Sequence, residues 1–173
     1  MATELRRHGG RIICISAPSA YTALHNQIHG TYGAATEDSF TSSLVMPPLL
    51  FEYDDRFGVF KSGFVRYDYN EPLAFPPDLC HSADTILVDP PFLADECLRK
   101  TAVTVKALMK PGTKIVLCTG AVMQATALDV LGVKRVGFQP QHANGLSNAF
   151  ACYTNYQSTF DTRFRWLGDE KGN

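Results

Sequence analysis

Short apolar runs, each closed by a turn signal, alternate along this chain with stretches of helical period. The first run, Ile12-Ile13-Cys14-Ile15, ends in the small residues Ser16-Ala17-Pro18. Residues 19–29 then place Ala20, Leu24 and Ile28 at i,i+4 spacing, with Ser19 available as a cap, and so predict a helix. A stretch from 30 to 46, rich in Thr, Ser, Ala and Gly and without period, reads as a surface insertion. Further strands are expected over 49–53, 61–67, 84–88, 114–118, 133–138 and 149–153. Helices are expected over 94–109, where Cys97, Leu98, Ala102, Val105, Leu108 and Met109 form a stripe, and over 122–131. Lys110-Pro111-Gly112 and Gly132 stop these two helices. The order is that of an α/β protein around a mostly parallel sheet, with a helix missing between the second and third strands and one antiparallel strand at the end.

Length bounds the reading at one domain, since 173 residues suffice for a single core. Its expected limits are 9–156, followed by a loosely held polar tail over 157–173. A net charge of −1 provides no global field for nucleic acid. No apolar run approaches membrane-spanning length, and the start of the chain does not read as a signal peptide. The five cysteines include no Cys-x-x-Cys pair, and their odd number argues for a reduced, intracellular protein. His25 and His29 share helical spacing without a third ligand, so no metal is expected.

The candidate chemistry sits after the fourth strand, where Thr85-Ile86-Leu87-Val88 runs into Asp89-Pro90-Pro91-Phe92. Two prolines forbid continuation of the strand and stiffen the residue before them. An acid, rigid backbone carbonyls and a ring thus stand at the carboxyl end of a strand, where open α/β sheets bind ligands. The set suits a clamp for a flat or cationic amine. Read locally, it is also a proline turn with Asp89 capping the next helix.

The ordered segments Ile13-Cys14-Ile15-Ser16-Ala17-Pro18-Ser19, Phe51-Glu52-Tyr53-Asp54-Asp55-Arg56-Phe57, Tyr67-Asp68-Tyr69-Asn70-Glu71-Pro72-Leu73 and Asp89-Pro90-Pro91-Phe92 resemble one family. So do Glu96-Cys97-Leu98-Arg99-Lys100-Thr101, Leu117-Cys118-Thr119-Gly120-Ala121 and the run from Ala149 to Tyr156. The family is the elongation factor 1-alpha lysine methyltransferase 1 group, formerly catalogued as adenine amino-methyltransferases. The resemblance implies a Rossmann-like, seven-stranded fold dependent on S-adenosyl-L-methionine, with the last strand antiparallel. It implies that Ser16, Ala17 and Pro18 line the methionine side of the cofactor, in place of the usual Gly-rich loop. Asp54 would accept from the ribose hydroxyls, with Glu52 as the alternative, and Asp68 and Tyr69 would sit by the adenine. Asp54, Asp55 and Arg56 also read as a solvated charged turn, and Asp68 and Tyr69 as turn residues before Pro72.

By the same likeness Asp89, Pro90, Pro91 and Phe92 are catalytic. Asp89 would capture and orient the amine, the Pro90 carbonyl take a second N–H, and Phe92 stack on the methylene stem. Attack on the methyl needs a neutral nitrogen, and for a lysine of pKa ~10.4 this costs roughly 4 kcal/mol, which desolvation must supply. The expected protein is therefore a cytoplasmic protein-lysine N-methyltransferase with translation elongation factor 1-alpha as its partner. The alternatives are a nucleic-acid adenine amino-methyltransferase and an inactive relative retained for binding. The family's aromatic-rich N-terminal segment is expected to be missing, and residues 31–46 are longer than expected. Self-association is left open.

Overall fold

The computed structural model describes residues 1–29, 46–140 and 150–167. Apart from Met46, the expected insertion falls outside these, as do most of the loop after residue 138 and the side chain of His29.

Eleven elements carry the described fold. They are α1 (Ala2–His8), β1 (Ile12–Ile15), α2 (Pro18–His29), β2 (Leu49–Glu52), β3 (Phe64–Arg66), β4 (Ala83–Val88), α3 (Asp95–Leu108), β5 (Met109–Gly120), α4 (Gln124–Leu131), β6 (Lys134–Arg135) and β7 (Phe150–Thr154). The seven strands form one sheet in the order β3-β2-β1-β4-β5-β7-β6. Neighbours from β3 to β5 are parallel, and β7 runs antiparallel to both β5 and β6. The order reverses between β1 and β4, so both strands deliver their carboxyl ends to one crevice region.

Strand periodicity divides the core into two layers. Ile13, Ile15, Ile86 and Val88 face α3 and α4, where Leu98, Ala102, Val105 and Ala127 are buried. Ile12, Cys14 and Leu87 face the other way, against Leu5 of α1 and Tyr21 and Leu24 of α2. Burial on both faces explains the unbroken apolar run of β1 and of residues 86–88 in β4.

Several expectations need correction. Residues 55–63 are not a plain link but a 3-10 stretch, which fills the place of the missing helix and shortens β3 to 64–66. The run over 133–138 yields only a two-residue strand, and Val136 instead bridges Trp166. β5 begins earlier than expected. The Thr113 hydroxyl accepts from the Lys110 amide at 2.9 Å and donates to the Ala83 carbonyl at 2.7 Å, while Gly112 takes φ 86°.

Residues 1–8 and 157–167 pack against the sheet's surroundings beyond the expected limits 9–156. Leu5 is fully buried, a contribution of about 2 kcal/mol, and it seats α1 on β1 and α2. Glu4 and His8, one turn apart on the same helix, meet at 3.3 Å, and the Tyr156 hydroxyl donates to Glu4 at 3.3 Å. The tail is docked as far as residue 167. Phe164 is fully buried, and the Trp166 indole donates to the Thr154 carbonyl at 3.2 Å. Single anchors among polar residues leave no period to read, so sequence pattern alone does not reveal this packing. No helix among the described residues is long and apolar enough to cross a membrane.

Candidate active site

The turn after β1 and the corner after β4 are tied to neighbouring strands by their first amides. Ser16 N–H donates to the Phe51 carbonyl at 2.8 Å, and Asp89 N–H donates to the Ile15 carbonyl at 3.0 Å. Ser16 adopts φ 51°, a left-handed conformation that costs a non-glycine residue on the order of 1 kcal/mol. That kink turns the chain out of the sheet and into α2 within two residues.

Two crevices, each of about 420 Å³, adjoin this pair of turns. The first is lined by Ser16, Glu52, Tyr53, Tyr67, Asp68, Tyr69, Asn70, Pro91 and Phe92. The second is lined by Ala17, Pro18, Leu87, Asp89, Cys118, Phe138 and neighbouring residues. The Ser16–Pro18 turn and the Asp89–Phe92 corner each contribute to both crevices, so turn and corner face one another.

In the first crevice Glu52, not Asp54, is the acid of β2 that forms the wall. Glu52 Oε1 accepts the Tyr53 and Asp54 amides at 2.7 and 3.2 Å. Asp54 instead caps the 3-10 stretch, accepting the Arg56 amide at 2.9 Å, and it forks with the Arg56 guanidinium. This pairing holds the Asp54 carboxyl below the usual carboxylate range. Asp54 thus fits the charged-turn reading, and of the two acids Glu52 is the one that lines the crevice. Asp68 accepts the Asn70 amide at 2.8 Å, and Tyr69 meets Phe92 edge to face with centroids 6.0 Å apart. Lys100 of α3 donates to Asn70 at 2.9 Å, fixing this rim from behind. Tyr53 carries the Arg66 guanidinium over its ring at 3.8 Å.

The corner residues divide between the crevices. Pro91 and the exposed Phe92 line the first, Asp89 lines the second, and the buried Pro90 lines neither. Phe92 shares its crevice with Glu52 and Tyr69. In the second crevice Cys118 lies opposite Cys152 in the β5–β7 register. Its thiol is pushed up by the hydrogen bond to Cys152, by burial and by the nearby charge of Asp89. The Cys118 thiol is thus a neutral, apolar part of a wall that also includes Met1. Sequence reasoning missed Tyr53, Tyr67 and Asn70 in the first crevice and Leu87, Cys118 and Phe138 in the second. Tyr53, Tyr67, Asn70 and Cys118 lie inside segments that carried the resemblance, a usable signal; Phe138 carried none. Among the described residues no cluster of metal ligands exists.

A seven-stranded sheet of this order, with a small-residue turn after β1 and a crevice at the β1–β4 reversal, defines the S-adenosylmethionine-dependent methyltransferase class. A solved structure titled as the methyltransferase CalH in complex with SAH superposes with a TM-score of 0.53 at 13% identity. It covers 88% of this chain and 53% of its own, and at that identity it speaks for the fold. The family profile described as "Probable N6-adenine methyltransferase" matches residues 1–158. EEF1A lysine methyltransferase 1 of Mus musculus is 44% identical over 161 residues, which cover 92% of this chain and 68% of that protein. The protein of the same name in Danio rerio is 45% identical, covering 91% of this chain and 90% of its own length. The chain belongs to the EEF1A lysine methyltransferase 1 family.

Proposed function

We propose that this protein is a protein-lysine N-methyltransferase acting on translation elongation factor 1-alpha in the cytoplasm, with S-adenosyl-L-methionine as donor. The observation that carries the reading is the shared lining of the crevices by the Ser16–Pro18 turn and the Asp89–Phe92 corner. Such an arrangement brings a donor site and an amine clamp within reach of each other.

The residues present fit the donor. Small side chains at Ser16 and Ala17 allow close backbone approach, Glu52 would accept from paired hydroxyls, and Tyr69 would offer an aromatic face to a purine. When bound, the donor supplies an electrophilic methyl carbon on a sulfonium. The protein's part is to present a neutral amine to it. Asp89 captures the lysine as ammonium and aligns it, while the apolar walls at Leu87 and Cys118 disfavour the charge. The proton leaves to water, and Asp89 then holds the amine through one of its two remaining N–H bonds so that the lone pair is free. Orientation provides most of the acceleration.

The test combines labelled donor, purified elongation factor 1-alpha, and the wild-type and Asp89→Ala proteins. Wild type should label the factor on lysine. The variant should lose transfer while its affinity for S-adenosylhomocysteine stays unchanged. Near-normal turnover in the variant would remove Asp89 from this role. Label in nuclease-sensitive material would instead make the protein an adenine amino-methyltransferase.

A further inference from the structure

Thr104 of α3 is a polar side chain buried completely, and nothing in the transfer chemistry uses it. Its hydroxyl donates to the Pro72 carbonyl at 2.8 Å. With that proton committed, the 2.9 Å bond to the Tyr67 hydroxyl has the phenol as donor. One hydroxyl of α3 therefore ties down both ends of residues 67–72. We infer that Thr104 is a positioning residue for the methyl donor, fixing the 67–72 loop as the wall offered to the donor's adenine. The inference rests on the methyltransferase reading above and deepens it.

The loop has need of such a tether. Tyr67, Asp68, Tyr69 and Asn70 line one crevice together with Ser16 and Glu52, yet residues 67–72 belong to no strand and no helix. Asp68 shapes the turn by accepting the Asn70 amide on its side chain at 2.8 Å and the Glu71 amide on its carbonyl at 3.0 Å. Bonds of this kind set the form of a turn but not its place against the sheet. Its place comes from outside. The Tyr67 amide donates to the Glu52 carbonyl at 3.0 Å, and α3 holds the rest.

Two residues one turn apart on α3 share this work. Lys100 donates to Asn70 at 2.9 Å, with its Nζ 5.8 Å from the Tyr69 ring centroid, and so holds the middle of the loop. That contact is partly exposed and shared with Glu96, so water weakens it. The Thr104 bonds lie in the interior, where an unpaired partner is costly. A valine at 104 would keep the shape and strip the hydroxyl, leaving the Tyr67 phenol and the Pro72 carbonyl both without their bond. The loop would then gain by moving toward water, and only the fraction still in place would bind the donor.

The experiment titrates S-adenosylhomocysteine calorimetrically into wild type and variants, with melting curves recorded alongside. Thr104→Val should bind about tenfold more weakly, the factor that one lost buried hydrogen bond commands. Thr104→Ser keeps the hydroxyl and should stay within about twofold of wild type. Val105→Ala, at the next position and also fully buried, should lower the melting temperature and leave affinity within about twofold. In transfer assays Thr104→Val should raise the donor KM by the same tenfold, with kcat at saturating donor nearly unchanged. The inference is overturned if Thr104→Val binds like wild type, if Thr104→Ser is as weak as Thr104→Val, or if Val105→Ala weakens binding equally. Should Thr104→Val fail to fold, Tyr67→Phe breaks the same relay at its other end and should cost about threefold, and unchanged affinity there overturns the inference. Failure of wild type to bind S-adenosylhomocysteine would instead overturn the methyltransferase reading itself, and the inference with it.

Discussion

Two acids leave the end of β2, and exchanging each for its amide separates their roles. Glu52 lines the crevice with Oε1 occupied by the Tyr53 and Asp54 amides, while its second oxygen has no hydrogen-bond partner among the described residues. In Glu52→Gln the single carbonyl oxygen must serve those backbone amides, which turns the NH2 group toward any ribose hydroxyls. The charge-assisted acceptor is lost, at about 1.5–3 kcal/mol. Affinity for S-adenosylhomocysteine should fall between about tenfold and a hundredfold. Asp54→Asn disturbs the cap and the Arg56 fork, both outside the crevice, so the same affinity should change by less than about twofold. Calorimetric titration of both variants with S-adenosylhomocysteine makes the comparison, and matched melting curves exclude a folding effect. A larger loss in Asp54→Asn than in Glu52→Gln would refute the assignment and return the ribose to Asp54.

Two further outcomes concern the ends of the chain. Phe164→Ala should destabilise the protein by about 3–5 kcal/mol in denaturant titration, because a fully buried ring leaves a cavity under Phe138. A change below about 1 kcal/mol would mean that the tail is not docked. His8 faces Glu4, Thr85 and the Tyr156 ring, with Lys114 near, and burial followed by the Lys114 charge pushes its pKa below the usual ~6.5, against the pull of Glu4. The folded state then favours neutral imidazole, so its contribution is full above pH ~6.5 and is lost as pH falls toward the lowered folded value. Chemical denaturation from pH 7 to 5 should show stability declining across that window, and His8→Gln should flatten the decline. An unchanged slope in the variant would assign the pH dependence elsewhere.

What could be read from the chain alone was whatever depends on neighbours in sequence. The apolar run at 86–88 and the prolines at 90 and 91 mark β4 and its exit, and the small residues at 16–18 mark a turn into α2. Asp89 stood out by its place at the carboxyl end of a strand, and the acids at 52, 54 and 68 through the family resemblance. Tertiary structure decided which of these share a cavity. Glu52 and Asp54 are two residues apart and chemically alike, but a cap with Arg56 turns one away while the strand end holds the other at the crevice. Phe92 and Phe138 are both aromatic, and only the tertiary structure, with Phe164 docked under Phe138, places the second ring in the wall of Asp89's crevice. Such contacts join residues distant along the chain, and their free energy comes from burial against particular partners, which no local pattern encodes.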